Sequence, residues 1–358
     1  MHRLRVAALV ILPAIAVLAA SDLAVRHWYS RSVFRLLFDI LGSRGAEEQI
    51  VFRKPLARFD AVAGYTCIPG VHIVSLVKGR VRIDSRITIG GDGYRIAGQA
   101  SGSTRNPGLW IFGCSYTWGL GVNDDETFPW IVQRAMPAFQ VRNLGGNGYG
   151  NLQALLQMRD AVRNRIPLPR IAVLVYNDFD LARNVASPSY LRMMNASGQS
   201  FERPRASVPA GSVDDSGGLR IGWIPLFQPP TGNAAAEESP EPDLEYQIRV
   251  TQALLDSFYE ICRQNGIAAV LAVQSRPSGD PMVEYARRAG YVLADIFVDL
   301  DERGGWRYRL QPVDGHPNRA AHAQYAARLL DTLRALPGPP SPGAAPIGCC
   351  PGTRERRN

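Results

Sequence analysis

The sequence predicts an α/β fold of three layers, in which helices cover both faces of a parallel sheet, preceded by a small antiparallel β element. Two patterns support this prediction. From Leu109 onward, short apolar stretches alternate with longer amphipathic ones, as strands and helices do around parallel sheets. Between about Ile50 and Ala100, apolar and polar residues alternate one by one, which is typical of antiparallel strands with one buried face.

The N-terminus predicts export. Met1-His-Arg-Leu-Arg5 is basic, Val6 to Ala20 is a run of fifteen uncharged residues, and small residues follow. This layout, over residues 1–21, predicts a signal peptide or a membrane anchor. The run is shorter than the ~20 residues of a full span, so a cleaved signal, an uncleaved anchor and a buried helix remain alternatives. We expect an exported, periplasmic or extracytoplasmic protein, held at the membrane by an N-terminal transmembrane segment.

Four further segments are predicted along the chain. Residues 22–49 form a juxtamembrane helix or linker, and residues 50–104 form the small β element, with a hairpin of Val71–Val77 and Val81–Ile89. Residues 105–336 form the main domain, and residues 337–358, rich in proline and glycine, form a disordered tail.

Strands and helices of the main domain follow from its apolar pattern. An insertion at residues 185–243, rich in proline, glycine and serine, interrupts the alternation and is either flexible or a lid over a site. The predicted strands are Leu109–Phe112, Val141–Leu144, Arg170–Tyr176, Ile267–Gln274 and Val292–Val298. The predicted helices are Thr127–Met136, Leu152–Asn164, Leu244–Asn265, Met282–Ala289 and Arg319–Leu336.

Bulk composition excludes several classes of protein. The 358 residues, 46% hydrophobic and 20% charged, are those of an ordinary globular chain, and the charge of +8 is scattered, so no nucleic-acid partner is expected. The five cysteines show no CxxC pair and no zinc spacing. Cys114 and Cys262 are expected to be buried, Asp178 and Asp180 to be solvated, and no metal or cofactor is predicted.

Polar residues follow the ends of three predicted strands and precede the last helix. They are Gly113-Cys-Ser115, Asn143-Leu-Gly-Gly-Asn-Gly148, Tyr176-Asn177-Asp178 and Asp314-Gly-His316-Pro-Asn318. Functional sites of parallel sheets gather at the carboxyl ends of the strands, so these groups are expected to meet.

A serine at such a strand end can be a nucleophile if an imidazole takes its proton. Of five histidines, three lie in the N-terminal segments or the hairpin, which leaves His316 and His322. His316 has Asp314 two residues before it on a predicted loop, so this carboxylate can orient the imidazole toward Ser115, whereas His322 is expected to be a helix residue.

Three donors are predicted for the oxyanion of an acyl transfer: the N–H of Ser115, the N–H of Gly148 and the side-chain amide of Asn177. Each residue has an ordinary alternative. Ser115 could be a helix N-cap, Asn177 could cap a turn, and the glycines around Gly148 could form a tight turn. Asn143 is expected to brace the same loop.

These four groups, in this order, resemble the sequence blocks of the SGNH (GDSL-type) hydrolases over about Leu109 to Leu336. The resemblance implies a flavodoxin-like three-layer fold, with Ser115 as nucleophile, His316 as base and Asp314 as its orienting acid. It also implies that Gly148 and Asn177 are oxyanion donors. Two features depart from the family: Cys114 replaces the common aspartate, and one residue rather than two separates Asp314 from His316. Thr117 excludes the Gly-x-Ser-x-Gly elbow of α/β-hydrolases.

The resulting hypothesis is a serine esterase that acts through an acyl-enzyme on ester-linked acyl groups of carbohydrates or cell-envelope polymers. Its expected partners are an acyl ester substrate, with polysaccharides among the candidates, and the membrane through the N-terminal segment. Two alternatives stay open: a polysaccharide O-acetyltransferase, and a non-catalytic envelope protein that uses the same fold to bind glycans or serve as a scaffold.

Overall fold

The first part of the described chain is the antiparallel β element. The structure is a computed structural model that describes residues 48–98, 107–196, 200–202, 206–227 and 239–336. The strands of the element are β1 (Glu48–Phe52), β2 (Ala57–Asp60), β3 (Gly64–Cys67), β4 (Gly70–Lys78) and β5 (Val81–Ile89). Strands β1, β4 and β5 form one sheet, and β2 pairs with β3. The predicted hairpin is confirmed, because β4 and β5 pair along their whole length.

A five-stranded parallel sheet forms the centre of the main domain, with strand order β12-β11-β8-β6-β7. The strands after β5 are β6 (Gly108–Gly113), β7 (Gln140–Gly145), β8 (Ile171–Tyr176), β9 (Ser207–Val213), β10 (Leu219–Pro225), β11 (Ala268–Val273), β12 (Val292–Asp295), β13 (Arg309–Leu310) and β14 (Asp314–Pro317). This order is that of flavodoxin-like doubly wound sheets. All five predicted strands are confirmed, although β12 ends three residues before Val298.

Helices cover both faces of this sheet, so the predicted three-layer fold is confirmed. The helices are α1 (Ser115–Trp118), α2 (Phe128–Ala135), α3 (Asn151–Arg163), α4 (Asp180–Asn184), α5 (Pro188–Ala196), α6 (Leu244–Gln264), α7 (Pro281–Arg288) and α8 (Arg319–Ala335). Successive residues of a strand point to opposite faces. Phe112 accordingly packs with α3, α6 and α7, whereas its neighbour Ile111 packs with α2 and α8.

The described parts of the insertion are folded onto the domain. Helix α5 buries Tyr190 and Met194, and the hairpin of β9 and β10 buries Val208. These side chains form one apolar cluster with Ala57 and Tyr65 of the β element. The insertion and the β element therefore share a core that is separate from the two faces of the central sheet.

The N-terminal and C-terminal predictions lie largely outside the described residues. The predicted signal or anchor at residues 1–21 and the tail at residues 337–358, with Cys349 and Cys350, are not covered. The same holds for the predicted linker, except for its last two residues, which begin β1. Among the helices that the structure does describe, none has the length and apolar composition needed to cross a bilayer.

Candidate active site

The site lies where the connections from two adjacent strands diverge. The chain leaves β6 toward α2 on one face of the sheet and leaves β8 toward α6 on the other. This divergence opens a crevice at the carboxyl ends of the two strands. Ser115, two residues beyond β6, stands at that crevice as the first residue of α1. The N-cap position is occupied by Cys114, so Ser115 is not the helix cap.

Close backbone packing holds in place the turn at residues 113–119 that carries Ser115, called the serine turn below. A Cβ at Gly113 would lie 2.2 Å from the Thr117 hydroxyl, so only glycine fits between the strand and the helix. Asn143, two residues before the end of β7, donates from its amide to the Thr117 carbonyl at 3.2 Å and accepts from the Gly145 N–H at 3.1 Å. The expected bracing role of Asn143 is thus seen in the structure.

A buried arginine that the sequence did not single out also supports the turn. Arg95 forms an ion pair with Asp124 at 2.9 Å and donates to the carbonyls of Trp118 and Gly119 at 3.0 and 2.5 Å. The guanidinium also lies over the Trp118 ring. Because Arg95 follows β5, this network ties the β element to the serine turn.

The structure brings Ser115, His316 and Asp314 into one chain of hydrogen bonds. His316 Nε2 lies 3.0 Å from Ser115 Oγ, and His316 Nδ1 lies 2.6 Å from Asp314 Oδ1. The same carboxylate oxygen accepts from the His316 backbone N–H at 2.6 Å. The hydroxyl, the imidazole and the carboxylate therefore lie in the order that the predicted roles of nucleophile, base and orienting acid require.

The segment that holds Asp314 and His316 is a strand rather than the predicted loop. Both residues belong to β14, which pairs with β13. Residues two apart on a strand point to the same side. This geometry explains why a spacing of one intervening residue still places the carboxylate against the imidazole.

Neighbouring side chains secure β14. The Asn318 amide donates to the carbonyls of Arg307 and Arg309 at 3.0 Å each, while its oxygen caps α8. Arg309 in turn donates to the Gly315 carbonyl at 2.5 Å. The ring of Tyr116 packs edge-on against His316, with 5.3 Å between ring centroids.

The surroundings of Asp314 and of the nearby thiols shift their pKa values in opposite directions. Burial alone would raise the pKa of Asp314, but hydrogen bonding to His316 and the charges of His316 and Arg309 outweigh it, so the pKa is lowered. Asp314 therefore stays an anion that can orient the imidazole. Burial raises the pKa of Cys114, and raises that of Cys67 to about 12, so both thiols stay protonated. Cys114 and Cys262 are buried, as predicted.

Two of the three predicted oxyanion donors face the same cavity. Ser115 and Gly148 both line it, and in the described part of the chain no group accepts a hydrogen bond from either backbone N–H. Gly148 has a φ of +81°, and a Cβ there would lie 2.6 Å from Met194 Sδ. The Tyr190 hydroxyl donates to the Gly148 carbonyl at 2.9 Å and so fixes the peptide.

The third predicted donor is placed differently. The Asn177 amide donates to Gln274 Oε1 at 2.8 Å and lies 3.8 Å from Cys114 Sγ, and Asn177 is not among the cavity-lining residues. Its role as oxyanion donor stays a prediction that this arrangement does not support. The expectation that Asp180 is solvated is wrong: Asp180 is buried, and the hydrogen bond that its carboxylate accepts from the Asn177 N–H at 3.0 Å offsets part of the cost of burial.

The cavity of about 250 Å³ in front of Ser115 has mostly apolar walls. They come mainly from the β element and the insertion, which have no local sequence pattern that marks them as walls. Asn147, between two glycines of the second strand-end motif, is a further polar lining residue. The principal apolar wall residues are Phe52, Leu56, Tyr65, Tyr149, Met194 and Phe201.

Other candidate groups lie apart from this cavity. His322 is a buried residue of α8 whose Nδ1 accepts from the Phe128 N–H at 3.2 Å, and burial lowers its pKa to about 3. It is a neutral helix residue, as expected. Within the ranges that the structure describes, no three His, Cys, Asp or Glu side chains are grouped as metal ligands.

Comparisons with known proteins give a weak likeness in fold. No family model matches the sequence, and no curated protein matches it. Among solved structures, the chain is similar to a lipolytic protein of the G-D-S-L family from Veillonella parvula (13% identity, TM-score 0.38, covering 64% of this chain and 99% of that chain). It is also similar to a psychrotrophic esterase from Pseudoalteromonas sp. (12%, TM-score 0.35, 63% and 96%) and to an acetyl xylan esterase from Geobacillus stearothermophilus (13%, TM-score 0.34, 66% and 97%).

Proposed function

We propose that the protein is a serine esterase of the SGNH type that acts through a covalent acyl-enzyme. The observation that supports this proposal is the hydrogen-bonded chain of Ser115, His316 and Asp314 at a cavity that also holds two unpaired backbone donors. None of these groups by itself is specific to an enzyme. Their convergence from positions about two hundred residues apart is what favours catalysis over a structural role.

In the first half-reaction, Ser115 Oγ attacks the carbonyl carbon of the ester while His316 Nε2 takes the hydroxyl proton. The carbonyl oxygen becomes an oxyanion, which the N–H groups of Ser115 and Gly148 stabilise. The bond to the alcohol oxygen then breaks, and His316 gives its proton to that oxygen. The alcohol leaves, and the acyl group stays on Ser115.

The second half-reaction releases the acid. A water molecule gives a proton to His316 Nε2 and attacks the acyl carbonyl, and the proton returns to Ser115 Oγ when the acyl–serine bond breaks. Throughout, Asp314 accepts the Nδ1–H hydrogen bond and stabilises the imidazolium that forms twice in the cycle.

The proposed substrate is an ester of a carbohydrate or a cell-envelope polymer. The predicted export segment at residues 1–21 supports an extracytoplasmic location. The mainly apolar cavity suits the acyl part of such an ester, with the polymer outside it. An acyl-enzyme could also pass its acyl group to a sugar hydroxyl, so the fate of the acyl group is part of the test.

The test compares wild-type protein with Ser115→Ala on 4-nitrophenyl acetate. We expect turnover in the wild type and a loss of at least about 10³-fold in the variant, with unchanged thermal unfolding. Ser216→Ala, an exposed serine in the turn between β9 and β10, is the matched control and should keep full activity. A fluorophosphonate probe should label the wild type and the control but not Ser115→Ala.

Wild-type turnover in Ser115→Ala would contradict the proposal. Failure of the probe to label folded wild-type protein would favour the non-catalytic alternative. Adding a glycan acceptor and measuring sugar acylation by mass spectrometry would distinguish hydrolysis from transfer.

A further inference from the structure

One side chain in the cavity wall carries a permanent charge. Arg183, on α4, is the lone Lys, Arg, Asp or Glu among the described residues that line the cavity around Ser115. Its side chain is only 12% exposed. Placing a cation in a mostly apolar enclosure is costly unless the charge is paired or hydrogen-bonded. The contacts of Arg183 therefore bear on what the cavity binds.

Within the protein, Arg183 is incompletely paired. Its Nη1 donates to the Tyr149 carbonyl at 2.8 Å, and in the described part of the chain this is the one hydrogen bond of the guanidinium. The guanidinium carbon lies 4.2 Å from the centroid of the Phe179 ring, which holds the planar group in place. A guanidinium has five N–H donors, so most of its donor capacity is unused.

The carboxylate beside Arg183 does not complete this pairing. Asp180 Oδ1 lies 3.9 Å from Nη1, too far for a hydrogen bond, and this buried oxygen has no hydrogen-bond partner. Burial raises the pKa of Asp180 to about 7, so near neutral pH part of the population is uncharged there. The described chain therefore gives the Arg183 guanidinium no hydrogen-bonded carboxylate partner.

We propose that Arg183 makes this protein selective for esters that carry a carboxylate. A guanidinium binds carboxylates through two parallel hydrogen bonds and is the usual partner of a desolvated carboxylate. The carboxylate can belong to the far end of the acyl group or to a uronic acid that bears the ester. The inference rests on the proposed esterase function, because it names the substrate class of the same cavity.

A purely structural role is the competing explanation. Through the Tyr149 carbonyl, Arg183 could simply hold the loop that contains Gly148. In that case its loss would impair the turnover of charged and neutral esters equally. The two explanations therefore differ in selectivity rather than in overall activity.

The first experiment measures kcat/KM for matched pairs of esters. One pair is mono-4-nitrophenyl adipate and 4-nitrophenyl hexanoate, which have acyl chains of equal length; the other is an O-acetylated methyl galacturonoside and the corresponding galactoside. In at least one pair we expect the wild type to prefer the anionic member by about tenfold or more. The pair that shows the preference identifies the source of the carboxylate.

The variants locate that preference. Arg183→Met should lower kcat/KM for the preferred anionic ester about tenfold more than for its neutral partner, mainly through KM, and Arg183→Lys should keep part of the preference. Arg163→Met, an exposed arginine on α3, is the control and should preserve the wild-type ratio. Equal losses on both esters in Arg183→Met, or no wild-type preference in either pair, would overturn the inference.

A binding measurement keeps this test separate from catalysis. With Ser115→Ala, calorimetry of monomethyl adipate against methyl hexanoate, and of the two acetylated glycosides, reports recognition without turnover. If the anionic preference is present there but wild-type protein hydrolyses none of these esters, the esterase proposal fails and the binding inference stands. Turnover without any anionic preference would support the esterase proposal and overturn the inference about Arg183.

Discussion

Two regions enclose the cavity, and they differ in how they are built. The floor consists of strand ends of the central sheet, with Ser115 after β6 and Gly148 after β7, together with His316 on β14. The walls come mainly from the β element and the insertion, through side chains such as Tyr65 and Phe201. The floor presents polar groups in fixed geometry, whereas the walls present apolar surface. We therefore expect changes in the floor to affect kcat and changes in the walls to affect substrate choice.

The largest effect is expected for Asp314→Ala. Without the carboxylate at 2.6 Å from His316 Nδ1, the imidazole loses its orientation and its counter-charge, so kcat should fall by about 10³–10⁴-fold. Steady-state kinetics on 4-nitrophenyl acetate measures this, with the exposed Asp178→Ala as control. Combined with Ser115→Ala, the variant should show little additional loss, since the residues act as a unit. A fully additive loss would argue against a shared mechanism.

Gly148→Ala should reduce kcat by about 10²-fold. The added Cβ meets Met194 Sδ, and the φ of +81° disfavours alanine, so the N–H donor should shift from the oxyanion. Gly222→Ala on β10, where a Cβ meets nothing closer than 3.9 Å, is the matched control. Unchanged kcat in a folded Gly148→Ala variant would remove Gly148 from the proposed floor.

A wall substitution should change selectivity instead. Met194→Ala enlarges the cavity beside Gly148, so the ratio of kcat/KM for 4-nitrophenyl hexanoate to that for the acetate should rise several-fold. Truncating this buried side chain should also cost about 2–5 kcal/mol of stability, so assays belong well below the melting temperature. Leu244→Ala, at an exposed position, is the control. A uniform fall in kcat on all esters would contradict the division between walls and floor.

The last effect is on stability rather than on catalysis and concerns how pH acts on two buried groups, His322 in the core beside α2 and Asp180 beside the wall residue Arg183. The pKa of His322 is lowered to about 3 in the folded protein, so the unfolded state takes up the proton first as pH falls. The contribution of His322 to stability therefore falls as pH drops from about 6.5 toward 3. The raised pKa of Asp180, about 7, has the opposite sign: its contribution rises as pH drops from about 7 toward 4.

Urea unfolding at pH 6.5 and 4.5 separates these contributions. His322→Asn should become more stable relative to wild type as pH falls, and Asp180→Asn less stable, each by up to about 1.4 kcal/mol per pH unit. If the stability of each variant changed with pH in parallel with that of wild-type protein, neither group would titrate differently in the folded and unfolded states.

Local sequence pattern predicted the central sheet and singled out the three residues of the hydrogen-bonded chain at the site. Strand and helix periodicities, together with polar residues at strand ends, placed β6, β7, β8, β11 and β12 and singled out Ser115, Asp314 and His316. Such inferences succeed because the period of apolar residues is set by backbone geometry within one element. The topology of parallel sheets then brings the strand ends together.

Tertiary contacts decided the rest. The Asn177 amide binds Gln274, nearly a hundred residues away in sequence, and the buried positions of Asp180 and Arg183 depend on packing that no local pattern encodes. The apolar walls likewise come mainly from chain segments that precede β6 and follow β8 in the sequence. By itself, the sequence determined which residues could perform the chemistry. Only the folded structure decided which groups surround them, because burial and charge pairing arise between segments that are distant along the chain.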